Sequence, residues 1–157
     1  MAPATLDHTQ LASRLPHTGG MCLLEAVTAW DDERITCVAT SHRRADHPLR
    51  SNGRLGAAAG IEYAAQAMAV HGSLLAENAN AGRPAGGFLA SARGVRMHRR
   101  WLDDLAADLH VHAQRIASDA SAIVYSFELR AGDCLLLEGR ASVALVVADG
   151  STFGASH

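Results

Sequence analysis

AAAGIEYAAQAMAVHGSLLAE, residues 57–77, is the stretch that decides the fold. Its alanine, methionine and leucine residues favour a helix, and apolar residues occupy nearly every face of that helix. A helix of this kind has to be covered by other elements on most sides. Because it contains Glu62, Gln66 and His71 and has no positively charged flank, we interpret it as a buried helix of a soluble protein and not as a membrane span.

The regions on both sides of this helix alternate between apolar and polar residues, which is typical of β-strands. Short turns join the later strands, so we expect antiparallel hairpins. Two strands, one long apolar helix and three or four long strands predict an α+β protein in which a curved antiparallel sheet wraps around the central helix, the hotdog fold. The predicted strands cover residues 21–30, 34–41, 88–98, 109–116, 123–130 and 134–147, and an irregular segment covers residues 42–56.

The composition bounds the class of protein. With 157 residues, 48% hydrophobic and 19% charged, the chain is predicted to form a single domain over residues 1–157, with its core at about 15–147 and a flexible polar tail after it. The low charge suggests that a second subunit covers part of the surface. The net charge of −2 gives no global field for nucleic acid or an anionic membrane.

The cysteines and the N-terminus bear on the cellular compartment. There are three cysteines, an odd number, and no C-x-x-C motif, so neither a disulfide framework nor a cysteine-based zinc site is expected. The first ten residues have neither the basic nor the apolar part of a signal peptide. These features favour a reducing cytoplasm.

Two residues are candidates for acid–base chemistry. Glu62 lies inside the apolar helix, where burial disfavours the charged form, and a carboxyl group held protonated is a usable general acid. His47 lies in the irregular segment just before the helix, and imidazole is the common general base near neutral pH. Each also has a simpler interpretation, in which Glu62 shares a solvated stripe with Gln66 and Ser73 and His47 is an ordinary member of the nine histidines.

The pairing of His47 with Glu62 resembles the catalytic segment of the hotdog-fold 3-hydroxyacyl-ACP dehydratases. There a histidine precedes a helix that contains Glu-Ala-x-Ala-Gln, and here Glu62 is followed by Ala64-Ala65-Gln66-Ala67. GIEYAAQAMAVHG, residues 60–72, is most similar to the divergent dehydratases of aryl polyene pathways, the ApeP-like group. Further similar segments are LPH at 15–17, LLEAV at 23–27, MHRRWLDD at 97–104 and LEGRA at 137–141, so the resemblance covers roughly residues 15–146.

The resemblance implies a reaction and a site. The substrate would be a 3-hydroxyacyl thioester on the phosphopantetheine arm of an acyl carrier protein, with His47 as the base at C2 and Glu62 as the acid at the C3 hydroxyl. The N–H of Ala57, at the start of the helix, would polarise the thioester carbonyl, and Gly56, Gly60 and Gln66 would complete the substrate-binding residues. No metal or organic cofactor is implied. The site would lie between two hotdog subunits, in a homodimer or a heterodimer.

Three departures from the family pattern keep other functions open. His47 and Glu62 are fifteen positions apart, one more than in the family. Pro48-Leu49-Arg50 replaces the family's Phe-Pro-Gly, and Gly56-Ala57 replaces its Pro-Gly. The alternatives are a hotdog thioesterase, in which a carboxylate activates water, and a non-catalytic or half-catalytic subunit of a heteromeric dehydratase.

The remaining motifs add one partner and exclude several chemistries. Arg93, Arg96, Arg99 and Arg100 form a positive run, here called the arginine run, that would suit docking of an acidic carrier protein, or would simply be a solvated strand edge. His110 and His112 share a strand face but lack further ligands, so we interpret them as surface imidazoles and expect no metal site. Serine-hydrolase, P-loop and dinucleotide motifs are absent from the sequence.

Overall fold

The structure, a computed structural model, describes residues 5–15, 21–78 and 86–146. His17, residues 79–85 and the predicted flexible tail therefore lie outside the described residues. No helix in the described part of the chain is both long enough and apolar enough to cross a membrane.

One six-stranded antiparallel sheet and one long helix make up most of the described chain. The strand order is β1-β2-β4-β5-β6-β3, so β1 and β3 form the two edges of the sheet. This arrangement confirms the predicted α+β hotdog fold. The elements are α1 (His8–Ala12), β1 (Ala26–Trp30), β2 (Arg34–Ala39), α2 (Gly60–Asn78), β3 (Gly86–Met97), β4 (Leu109–Ser118), β5 (Ala122–Ala131) and β6 (Cys134–Val146).

Helix α2 packs against the concave face of the sheet. It is approached through a short 3-10 helix, Ala57–Ala59, so the α-helix begins three residues later than the sequence predicts. Gly60 permits the close approach of α2 to the sheet, because a Cβ there would lie 2.5 Å from Cδ2 of Leu137. Gly60 is thus a packing residue, and its predicted role in substrate binding has no support from this position.

The strands alternate as their sequences predict. In β5, every second residue from Ile123 to Ala131 is buried and belongs to the hydrophobic core. The intervening residues of β2, β4, β5 and β6 form what we call the outer face, the side of the sheet turned away from α2. The core members of α2 are Tyr63, Ala64, Ala67, Met68, Val70 and Leu74.

Two elements differ from the sequence prediction near the N-terminus. The first strand covers only Ala26–Trp30 and not residues 21–30, because residues 21–23 are hydrogen-bonded to the Gln66 side chain of α2. Helix α1 was not predicted. Its sequence signal is a capping box, in which Asp7 accepts the N–H of Gln10 and the Gln10 side chain accepts the N–H of Asp7.

Candidate active site

Glu62 lies in the first turn of α2 and is half-buried. Its side chain is oriented by Gln66, one turn further along the helix, whose Nε2 donates to Oε2 of Glu62 at 3.1 Å. Gln66 is itself fixed to the backbone: its Nε2 also donates to the Met21 carbonyl at 2.7 Å, and its Oε1 accepts the N–H of Leu23 at 2.9 Å. The carboxyl group is therefore held in place by a buried amide.

This hydrogen bond determines which oxygen of Glu62 can transfer a proton. An amide N–H needs an acceptor, so Oε2 presents a lone pair to Gln66. In the protonated acid, the transferable proton is consequently on Oε1. Gln66 is 3% exposed, and its side chain orients the Glu62 carboxyl group; its predicted role in substrate binding stays a prediction.

His47 is placed differently. It is 4% exposed, and both of its ring nitrogens are hydrogen-bonded to groups other than Glu62. Its Nδ1 accepts the N–H of Leu49 at 3.0 Å, and its Nε2 lies 2.9 Å from Oη of Tyr63. Burial, together with the positive charges of Arg44 and Arg50, lowers the pKa of His47 to about 4, so the ring is neutral at pH 7.

The hydrogen bonds around His47 form a hydrogen-bond chain in which each donor and each acceptor is fixed. The Ser41 hydroxyl donates to the Leu23 carbonyl at 2.7 Å, so its oxygen accepts the Tyr63 hydroxyl, also at 2.7 Å. Tyr63 then accepts the Nε2–H of His47. Sequence reasoning missed Ser41 and Tyr63. Ser41 lies outside the resembling segments, and Tyr63, although it lies within residues 60–72 and directly follows Glu62, was assigned no role.

A second buried histidine lies close to this hydrogen-bond chain. His42 is fully buried, and its Nε2 donates to the carbonyls of Leu105 and Ala107 at 3.1 and 3.0 Å. Its Nδ1 has no hydrogen-bond partner among the described residues. Burial lowers the pKa of His42, so this ring too is held neutral.

The segment before α2, residues 54–57, is hydrogen-bonded to residues 100–103. The Asp103 carboxylate accepts hydrogen bonds from Arg54 at 2.9 Å and from the N–H of Leu55 at 3.1 Å. Gly56 forms a β-bridge with Trp101, and the N–H of Ala57 donates to the Arg100 carbonyl at 2.9 Å. The predicted donation of the Ala57 N–H to a thioester carbonyl would therefore have to replace a hydrogen bond that the fold already makes.

The arginine run does not form one surface. A bulge at Gly94, whose φ is +59°, brings both Arg93 and Arg96 onto the outer face. They pair with Arg140 and Glu138, which are two positions apart on β6 and therefore point to the same face of the sheet. There they line a groove of about 730 Å³ together with Arg34 and Arg140.

Arg99 and Arg100 follow β3, which ends at Met97, and lie beside the segment that leads into α2. Arg99 donates to Asp104 at 2.8 Å, and the Arg100 guanidinium lies 5.0 Å from the centre of the Trp101 ring. The guanidinium of Arg54 lies 4.3 Å from the same ring. Only this half of the arginine run is near the start of the helix that bears Glu62.

With this geometry established, the comparisons with known proteins assign the family. The sequence profile of the ApeP-like family, described as ApeP dehydratase, matches residues 9–152. The chain belongs to the ApeP-like dehydratase family. Comparison with curated protein sequences finds no significant match.

Solved structures similar to this ApeP-like chain share its fold. The dehydratase heterocomplex ApeI:P from Xenorhabdus doucetiae contains a chain with a TM-score of 0.76 and 23% identity, covering 89% of this chain and 93% of that one. A variant of the thioesterase PA1618 from Pseudomonas aeruginosa has a TM-score of 0.63 and 17% identity, covering 90% of this chain and 94% of that one. Thioesterase HI1161 from Haemophilus influenzae has a TM-score of 0.59 and 14% identity, covering 97% of this chain and 96% of that one. Hotdog dehydratases and hotdog thioesterases therefore share this architecture.

Proposed function

We propose that the chain is a subunit of a cytoplasmic dehydratase that converts a carrier-protein-bound 3-hydroxyacyl thioester to the trans-2-enoyl thioester, in fatty acid-like or aryl polyene lipid biosynthesis. The observation that supports this most is the position of Glu62, a half-buried carboxyl group at the start of the central helix, oriented by the buried amide of Gln66. A fixed carboxyl group is what protonation of a leaving hydroxyl requires. Membership of a dehydratase family agrees with this chemistry.

The reaction is an elimination of water. A base removes a proton from C2, and the electrons of that C–H bond move towards the thioester oxygen as an enolate. They then form the C2=C3 double bond while the C3–O bond breaks, and Oε1 of Glu62 gives its proton to the departing hydroxyl. The sequence predicts His47 for the base, and no metal or organic cofactor takes part in the scheme.

A second hotdog subunit and an acidic carrier protein are the proposed partners. The ApeI:P structure is described as a heterocomplex, which supports association of this chain with another hotdog chain. Arg54, Arg99 and Arg100 surround Trp101 next to the start of α2, where positive charge would guide an acidic carrier towards Glu62.

The test is to incubate the protein, with and without a second hotdog subunit from its own organism, with a 3-hydroxyacyl thioester on a carrier protein. Mass spectrometry should show loss of one water from the acyl chain. Glu62→Gln should lower that rate at least about 100-fold, whereas Gln114→Leu, an exposed change on β4, should not. Absence of enoyl product in every combination would refute the proposal.

Hydrolysis is the second candidate function, and the state of His47 favours it. A hotdog thioesterase needs a carboxylate to activate water and does not need a histidine. Here the carboxyl group of Glu62 is half-buried, whereas the ring nitrogens of His47 are both hydrogen-bonded within the chain. Release of the free acid in the same mass-spectrometric assay, lost in Glu62→Gln, would identify a thioesterase.

A further inference from the structure

The hydrogen bonds of His47 leave it without a lone pair for proton abstraction. Nδ1 uses its lone pair for the N–H of Leu49, so a neutral ring carries its proton on Nε2. That proton is donated to Tyr63, because the Tyr63 hydroxyl is itself directed to Ser41 and onward to the Leu23 carbonyl. In the only neutral tautomer that can accept the N–H of Leu49, both ring nitrogens are thus engaged in hydrogen bonds.

The burial of His47 leads to the same conclusion independently. A residue that serves a site shared between two subunits has to be reachable from outside its own chain. In the chain alone His47 is already 4% exposed, enclosed by its own protomer, whereas Glu62 is half-buried. A partner can therefore reach the acid of this chain but not its predicted base.

The other described histidines do not replace His47. His42 and His71 are fully buried, and each donates a ring N–H to backbone carbonyls of its own protomer. His8 lies on α1, which packs against the edge strand β1, and is bonded to the Leu24 carbonyl. His98 pairs with Glu138, and His110 and His112 lie on the outer face of β4, on the opposite side of the sheet from α2.

We infer that this chain contributes the acid but not the base, and that the base comes from the partner: a second hotdog subunit whose accessible imidazole, with a free ring nitrogen, meets Glu62 across the interface. This inference rests on the proposed dehydratase function. Within the described part of the chain, a homodimer then has two acids and no accessible histidine to act as the base. A mixed dimer has one complete site, in which the partner's imidazole takes the C2 proton and Glu62 protonates the departing hydroxyl.

Deuterium exchange at C2 of the acyl chain measures the action of the base separately from that of the acid. A butyryl thioester on the carrier protein has no C3 hydroxyl, so exchange of its C2 protons in D₂O needs a base but no proton donor. The chain alone should give no exchange above the buffer rate. The mixed complex should exchange, and Glu62→Gln in this chain should lower dehydration at least about 100-fold.

The tautomer of His47 provides a measurement that does not depend on activity. Nitrogen-15 NMR of histidine-labelled protein, with the signals assigned by His47→Gln, should show a protonated Nε2 and an unprotonated Nδ1. That pattern should persist from pH 5 to pH 8, both in the chain alone and in the mixed complex. A protonated Nδ1 in the complex, with Nε2 free, would mean that association releases the ring and would overturn the inference.

The outcomes separate this inference from the proposed function. If the chain alone exchanges the C2 protons, or dehydrates the hydroxyacyl substrate, and His47→Gln abolishes it, the inference is wrong and the dehydratase function stands. If the mixed complex neither exchanges nor dehydrates, the proposed function itself is refuted.

Discussion

At the scale of single residues, the strongest prediction concerns Gln66. Gln66→Leu removes the donor to Glu62 and leaves the Leu23 N–H and the Met21 carbonyl without their partner in the protein interior. We expect kcat of the mixed complex to fall about tenfold or more with KM nearly unchanged, because the side chain positions Glu62 and is 3% exposed. Steady-state kinetics on the carrier-bound substrate measures both constants.

Unfolding experiments separate this positioning role from a loss of folding. Each unsatisfied buried group costs about 1–3 kcal/mol, so Gln66→Leu should also lower the free energy of unfolding by that order. Gln114→Leu, at an exposed position of β4, is the matched control and should change neither quantity. A fall in stability with kcat intact would show that Gln66 has only a structural role.

The residues of the site were predictable to different degrees. Glu62 and Gln66 are four apart on a helix, so their mutual contact follows from helical periodicity. Which groups His47 contacts does not follow from periodicity, because the irregular segment at 42–56 folds back on the chain. The bonds from Leu49 and Tyr63 that fix its tautomer depend on that folding.

At the scale of elements, the arginines within β3 and those that follow it should differ in function. The bulge at Gly94 places Arg93 and Arg96 on the outer face, whereas Arg99 and Arg100 lie beside the start of α2. We expect Arg99→Gln/Arg100→Gln to raise KM for the carrier-bound substrate about tenfold and to leave KM for a small pantetheine thioester unchanged. Kinetics of the mixed complex with both substrates tests this.

The outer-face pair is the internal control. Arg93→Gln/Arg96→Gln removes the same amount of charge, but from within β3, at the groove on the opposite side of the sheet from α2. An equal rise in KM for both double variants would show that carrier docking follows net charge and not position. The sequence could not separate the pairs, because a single bulge residue decides which face the side chains meet.

At the scale of the whole molecule, the order of elements was enough to predict the fold. An apolar helix of this length has to be enclosed, and strands of period two on both sides of it in the chain enclose it when they form one curved sheet. Strand pairing from β4 to β6 follows from the short turns. The chain alone, by contrast, contains no information about the surface of a partner, so the proposed composite site rests on which side chains this chain leaves exposed.

The buried histidines make the stability of the whole molecule depend on pH. Burial lowers the pKa values of His42, His47 and His71 in the folded state. The unfolded chain takes up these protons near the ordinary value of about 6.5, and the folded chain does not, so folding is favoured above that pH. As pH falls through 6.5 towards 4, stability is progressively lost.

Denaturant unfolding between pH 8 and pH 4.5 measures this loss. For His47 alone, the difference between the ordinary pKa and a value of about 4 corresponds to about 3 kcal/mol, fully lost only below pH 4. His47→Gln removes the titrating ring and keeps an amide near Tyr63, so its stability should depend less steeply on pH. An unchanged slope would show that His47 titrates normally in the folded chain, and a His47 that can be protonated near neutral pH would again be available as a base.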